Sequence, residues 1–380
     1  MDYAATTPVD RRVLEAMTPY SIRIYGNTMS LHSWGRAAKE ALEDSRTTVA
    51  SFLKATPNEV IFTGSATEAN NTALKGVAFA KKGKGGHIII SAIEHDSVLE
   101  TARWLEKQGF EITYLPVDRF GLVELKRLEE EIRKDTILVS IVHANNEIGV
   151  IQDIEQIGKI CRERNVLFHS DAAQSCGKIP IDVKKMNVDL LTVSAHKMYG
   201  PKGVGALYIK EGTEMEPWLH GGGHEFGLRS ATVNVAGIVG FAEAVKIQRK
   251  EMTSDAEMQI ELRDKLIRET LKIHDSHLNG HPTKRLPNNA NFWFAFIEGE
   301  SLVMQLDMEG IAASTGSACS SESLEPSHVL LAIGLKPQEA YGSLRLTLGK
   351  YTTDEEVAYA LEILPQAVDR LRRISPFNKG

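Results

Sequence analysis

The sequence predicts an α/β fold: a large domain with a mostly parallel sheet flanked by helices, and a smaller α+β domain beside it. Three observations carry this. Short runs rich in Val and Ile alternate with helix-period segments between about residues 58 and 210. Near residues 250 to 275 the pattern changes to a long charged helix. The length, 380 residues, is two to three times the commonest domain size and leaves room for a second unit.

Taken in order, EVIFT, HIIIS, FEITYLPV, TILVSIVH, VLFHSD, LLTVS and GALYIK read as strands. Between them EANNTALKGVAFA, SVLETARWLEKQG, LVELKRLEEEIRK and IEQIGKICRER place apolar residues near every third or fourth position, the helical repeat. Strands alternating with helices give a parallel sheet. Beyond them RKEMTSDAEMQIELRDKLIRETLKI, NFWFAF, SLVMQLDMEG, SLRLTLG and DEEVAYALEILPQAVDRLRR read as the smaller α+β part. No Pro-, Gly- or Ser-rich linker and no internal repeat separates the two. The expected division assigns residues 13–250 to the large domain and 1–12 with 251–380 to the small one.

The residues are 42% hydrophobic and 25% charged, the profile of an ordinary soluble globular protein. A net charge of -6 and a pI near 6.1 offer a polyanion no long-range attraction, so neither nucleic acid nor an acidic membrane is expected as primary partner. No apolar stretch approaches the roughly 20 residues of a membrane helix, and MDYAATTPVD lacks the basic start and apolar run of a secretion signal. A cytoplasmic location is expected. Three cysteines are too few and too scattered for a disulfide framework or a zinc ligand set. Cys161, on the apolar side of a helix, and Cys176, after a strand end, read as buried and inert. Cys319 lies in STGSACSSES, small polar residues without helix or strand period, and reads as a reactive thiol on a loop.

Parallel sheets bind ligands beyond the carboxyl ends of their strands, so the residues following each apolar run are the ones to inspect. After EVIFT come Gly64, Ser65, Ala66 and Thr67 and then a helix, whose exposed N–H groups suit a phosphate, although such residues also cap ordinary helices. Asp171 ends VLFHSD, and Ala195, His196 and Lys197 follow LLTVS, one crossover later. An acid and an amine at adjacent strand ends could form a simple ion pair. Pyridoxal phosphate needs both, an amine for a Schiff base and a carboxylate beside the ring nitrogen. Ser194 and His196 flank the lysine and could hold the phosphate. His95, after HIIISAIE, could stack on a flat ring or move a proton, though a lone histidine there is usually structural. Asn146 and Gln174 are amides on the same rim.

The runs SAHKMYGPKGVGALYI, HSDAAQSCGK, TGSATEANN, HANNEIGVIQD, HGGGHEFGLRS and ASTGSACSSESLEPSHVL closely resemble the cysteine desulfurases of the NifS/IscS type, within the class V aminotransferases of pyridoxal-phosphate fold type I. The resemblance runs in order from DYAATTPVD to SLRLTLGKYTTDEEV. It implies the fold of the pyridoxal-phosphate-dependent transferases, with Lys197 as the Schiff-base lysine, Asp171 as partner of the ring nitrogen and His95 stacked on the ring. Gln174 and Asn146 would lie near the ring oxygen and substrate, and Ala66, Thr67, Ser194 and His196 would hold the phosphate. Thr232 would reach the phosphate of the neighbouring subunit in a homodimer. Arg345 would grip the carboxylate of L-cysteine as a bidentate fork. Cys319 would take the sulfur as a persulfide, releasing L-alanine, and pass it to an iron–sulfur scaffold protein or a tRNA-thiolation acceptor; an iron–sulfur cluster could contact it in such a complex.

Ala231 stands where the family pattern RSGT has glycine, and Thr28 where proline is common; both bear on loop geometry. The chain opens at the family's first motif, and any residues absent ahead of it are expected to weaken the N-terminal strand. Other readings keep the cofactor and change the reaction, to selenocysteine lyase or class V aminotransferase, or make the chain a silent scaffold, against which Lys197, Asp171, His95 and Cys319 argue. No resident metal is expected: HGGGH, with His220 and His224, is too flexible to present two ligands as a helix does.

Overall fold

The computed structural model describes residues 1–316 and 325–375. Seven strands form one sheet: β1 (Val60–Thr63), β2 (His87–Ser91), β3 (Glu111–Leu115), β4 (Thr136–Ser140), β5 (Leu167–Asp171), β6 (Leu190–Ser194) and β7 (Gly205–Ile209). Their spatial order is β1-β7-β6-β5-β4-β2-β3, with β7 antiparallel to both neighbours and every other pair parallel. β1 and β6 therefore run the same way, and their carboxyl ends meet on one edge.

Successive strand residues face opposite sides, and the core divides accordingly. Ile61, Ile88, Ile90, Leu138, Leu190 and Leu207 pack with α3 (Ala66–Ala80) and α4 (Asp96–Glu106). Phe62, Ile89, Val139, Phe168, Leu191 and Val193 face the other way. There they meet α1 (Arg11–Ile22), α2 (Ser33–Leu53), α5 (Leu125–Glu131), α6 (Ile154–Glu163) and the first third of α7 (Val235–Thr270). The result is a helix–sheet–helix sandwich, with strands buried on both faces and hence near-continuously apolar.

The 36-residue α7 joins two cores. Ile238, Phe241, Val245 and Ile247 lie in that of the large sheet, whereas Leu262 and Leu266 pack against a second, three-stranded sheet. That sheet is antiparallel, ordered β10-β9-β8 from β8 (Ser276–Leu278), β9 (Asn289–Phe294) and β10 (Ser343–Thr347). It is covered by α8 (Gly299–Met308) and α11 (Asp354–Ile374), while α9 (His328–Ala332) and α10 (Pro337–Tyr341) close the junction with the large sheet. Thr353 and Glu356 form a capping box at the start of α11.

All the strands and the main helices read from sequence are present, with shifted ends. α5 stops at Glu131, and α7 begins at Val235, well before the charged stretch that marked it. The early helices α1 and α2 were not legible. The buried stripe of α2 is made largely of Gly35, Ala38, Ala41, Ser45 and Ala50, too weakly apolar to show a period. The N-terminal segment packs with both sheets: Tyr3 N–H donates to the Thr347 carbonyl on β10, and Thr7 N–H to that of His196 after β6. No helix among the described residues is long and apolar enough to cross a membrane.

Candidate active site

The carboxyl ends of β1, β2, β4, β5 and β6 converge, and the residues singled out above lie there. Asp171, the last residue of β5, is buried. Its Oδ1 accepts from Ala173 N–H at 2.8 Å and its Oδ2 from Asn70 Nδ2 at 2.6 Å. Asn70 also donates to Ser97 Oγ at 2.8 Å, and that hydroxyl lies 2.8 Å from His95 Nδ1. Acid and imidazole are thus joined through two side chains on α3 and α4. His95 is the N-cap of α4, its Nδ1 accepting from Ser97 N–H. Because Nδ1 accepts this N–H, the ring proton is on Nε2.

The adjoining corner suits an anion. Gly205 pairs with Thr63 on one side and Ser194 on the other, and a Cβ there would come within 2.9 Å of the Ser65 carbonyl carbon and 2.8 Å of the Val193 oxygen. Glycine lets the Ser65–Ala66 backbone lie against the end of β7. α3 starts at Ala66, with Thr67 exposed in its first turn, and presents N–H groups and the positive end of its dipole. Ser194 is buried, and its hydroxyl has no hydrogen-bond partner among the described residues. His196 Nδ1 lies 3.1 Å from Thr6 Oγ1; burial, with Lys197, Lys202 and Lys178 nearby, lowers its pKa to about 4, so it is neutral near pH 7. Glu68, also in the first turn of α3, is neutralised by a bidentate pair with Arg229.

Lys197 ends the short turn after β6, partly buried, and its Nζ donates to the carbonyls of Ala4 (2.5 Å) and Ala5 (2.8 Å). Gln174 Nε2 donates to the same Ala4 carbonyl at 2.9 Å, so amine and amide converge on one point. Across the site, Arg345 on β10 is buried; it donates from Nη1 to the Asn146 carbonyl and pairs through Nη2 with Asp2, both at 3.0 Å, while its Nε has no partner among the described residues. Next to Asn146, Glu147 is buried, its carboxyl pushed up to about 7 by desolvation; its Oε2 accepts from Ser327 Oγ at 2.5 Å and lies where a Cβ on Gly316 would collide with it.

Cys319 lies outside the described residues, between Gly316 and Ser327. Thr232 is exposed on the segment leading into α7, and among the described residues it hydrogen-bonds to none of the side chains above. A buried bidentate pair, Arg46 with Glu225, ties the HGGGHEFG stretch to β1, since Glu225 Oε2 also accepts from Phe62 N–H at 2.7 Å. Cys161 and Cys176 are buried, their thiols both pushed up to about 12 by desolvation. Sequence reasoning missed Asn70, Ser97, Thr6 and Lys178. Each lies in a motif already quoted or beside one, but only the fold shows which neighbour it serves.

The description "Aminotransferase class-V" fits residues 1–359, and the chain belongs to that family. Within it, the chain is of the NifS/IscS cysteine desulfurase type. It is 53% identical to the cysteine desulfurase IscS of Dictyoglomus turgidum across 100% of this chain and 96% of that protein. A solved NifS-like protein superposes with a TM-score of 0.92 at 41% identity, covering 97% of this chain and 99% of its own. The structure described as SspA in complex with cysteine matches with a TM-score of 0.81 at 39% identity, covering 93% and 99%.

Proposed function

We propose that the enzyme removes sulfur from L-cysteine with the help of pyridoxal phosphate held on Lys197, leaving L-alanine and a persulfide on Cys319. The observation that carries this reading is the donor set at the sheet edge: a lysine, a buried carboxylate and a glycine-floored helix start with an unpartnered buried hydroxyl. That set fits an aldehyde, a protonated pyridine nitrogen and a phosphate, respectively.

Lys197 would hold the cofactor, Asp171 would keep the ring nitrogen protonated, and α3 with Thr67, Ser194 and His196 would bind the phosphate. When bound, pyridoxal phosphate supplies an electron sink that lets the substrate's Cα proton leave and its C–S bond weaken. Arg345 would bind the substrate carboxylate through its planar fork, with Asn146 alongside. The amine of Lys197 would take and return the Cα proton, and Nε2–H of His95 would orient the substrate or ring by donating a hydrogen bond. The thiolate of Cys319 would attack the substrate sulfur, so that an S–S bond forms as the C–S bond breaks and the carbon, reprotonated, departs as alanine.

The relatives' name supports transfer of the sulfur onward to iron–sulfur cluster assembly. We assign the residues before Thr232 and the exposed apolar side chains Leu31, Trp34 and Phe226 to a homodimer contact, across which Thr232 would reach the other site.

Purified enzyme should absorb near the lysine–cofactor band and release sulfide and alanine in equal amounts on addition of L-cysteine and a thiol reductant. Cys319→Ala should keep the band and lose sulfide release. A colourless protein yielding neither product refutes the reading, and sulfide release by Cys319→Ala at the normal rate refutes the persulfide step.

A further inference from the structure

One buried cation near Lys197 has no part in the chemistry above. Lys178 lies on the turn after β5, four residues beyond Gln174, and its side chain bends back under the site. Its Nζ donates to the backbone carbonyl of Gln174 at 2.7 Å and reaches that of Lys197 at 3.3 Å. Gln174 and Lys197 are the two residues whose side-chain tips meet on Ala4. One ammonium therefore binds the backbones of both, joining the loop after β5 to the turn after β6.

Among the described residues, Lys178 forms no hydrogen bond or ion pair with a carboxylate. Lys178 and Lys197 line the same small cavity at the seam with α7, together with Tyr3, Tyr199 and Asp255. Burial raises both phenols, so neither carries a compensating charge near pH 7. Asp255 is also pushed up by burial, and its Oδ2 has no hydrogen-bond partner among the described residues. Cys176, two residues earlier, is a neutral buried thiol, and His196 on the far side is neutral as well. The cation's hydrogen bonds are to carbonyl oxygens, and a positive charge near a second amine in a poorly solvated place disfavours that amine's protonation.

We propose that Lys178 is the positioning residue of the cofactor lysine: it fixes the Gln174–Lys197 pair by its two carbonyl contacts, and its ammonium disfavours a second positive charge on the Lys197 nitrogen. This rests on Lys197 being the cofactor lysine. Burial and the Lys197 charge lower the pKa of Lys178 itself to about 7, as expected for two amines competing for protons in one cavity.

The test is a pH titration of the absorbance of the holoenzyme, with no substrate present, for wild type, Lys178→Met and Lys178→Arg. Methionine fills the same space without charge or donors. The titration midpoint of K178M should move up by about one pH unit, a tenfold gain in proton affinity, and K178M should release cofactor faster on dilution; K178R should keep the wild-type midpoint. A K178M midpoint that coincides with wild type or moves down overturns the proposal, as does a K178R enzyme that shifts as far as K178M. Should K178M fail to fold, Lys178→Gln, which keeps a donor without the charge, takes its place: its midpoint should also move up, and one that coincides with wild type or moves down overturns the proposal. A coloured wild type with an unshifted K178M sinks this inference alone, whereas a colourless wild type sinks the cofactor reading beneath it.

Discussion

Asp171, at the end of β5, and Arg345, in the middle of β10, are both buried charges, one on each sheet, yet they are solvated differently. Each Asp171 oxygen has a donor, from Ala173 N–H or Asn70, and the acid is wired through Ser97 to His95. Among the described residues, Arg345 has Nε unpartnered and one carboxylate partner, Asp2, which is itself partly exposed. A buried charge needs compensation whichever role it has. A group that holds one protonation state for a permanently bound ring can be closed off, whereas one that meets a passing carboxylate keeps bonding capacity in reserve. On the roles proposed for the two residues, the large sheet would carry the fixed half of the site and the small sheet the half exchanged at every turnover.

Substitutions on the two sides should therefore fail differently. Asp171→Asn keeps the shape and removes the charge, and steady-state assays should show kcat reduced by on the order of 10³-fold, the upper range for losing one preorganised electrostatic group. Arg345→Ala should lower kcat/KM for L-cysteine by on the order of 10²-fold, corresponding to about 3 kcal/mol for an unmatched charge, with most of the effect in KM. If Arg345→Ala instead lost kcat with KM unchanged, the division between fixed and exchanged halves would be wrong. Asn70→Ala leaves Asp171 Oδ2 without its donor and should cost about 2 kcal/mol of stability, measured by denaturant unfolding, with a smaller loss of turnover.

The pH dependence offers a subtler check. Glu94, next to His95, is fully buried; its Oε1 accepts from Ser91 Oγ and Val142 N–H, and Oε2 has no partner. Desolvation raises its carboxyl to about 8. Because the folded value lies above that of the unfolded chain, the group's contribution to stability is complete below about pH 4.5 and is lost as pH rises toward 8. Glu94→Gln mimics the protonated acid and should flatten the fall in melting temperature over that window. The smallest effect is expected at the two buried thiols: Cys161→Ala and Cys176→Ala should leave sulfide release unchanged and cost about 1 kcal/mol of stability each.

Much of this arrangement was legible in the sequence, for reasons tied to particular residues. Strands buried on both faces are written as runs such as HIIIS and LLTVS, and their carboxyl ends point at Asp171, Ser194 and Lys197 without any knowledge of strand order. Arg345 and Thr232 entered only through the family resemblance, because nothing local to SLRLTLG or LRSATVN marks a ligand. Asn70, Ser97 and Lys178 could not be read at all. Their roles are hydrogen bonds across 101 residues in the first case, between neighbouring helices in the second, and back to a strand end and the next turn in the third. Helix α2 escaped because a stripe of small residues packs closely while leaving almost no hydropathy period.

The central claim is that Lys197, and no other amine, carries the cofactor. Reduction of the coloured enzyme with borohydride, digestion and mass spectrometry of the peptides tests it most directly. The pyridoxyl group should be found on Lys197 in the SAHKMYGPK stretch. Its recovery on Lys178, or on any lysine away from the carboxyl end of β6, would contradict the account.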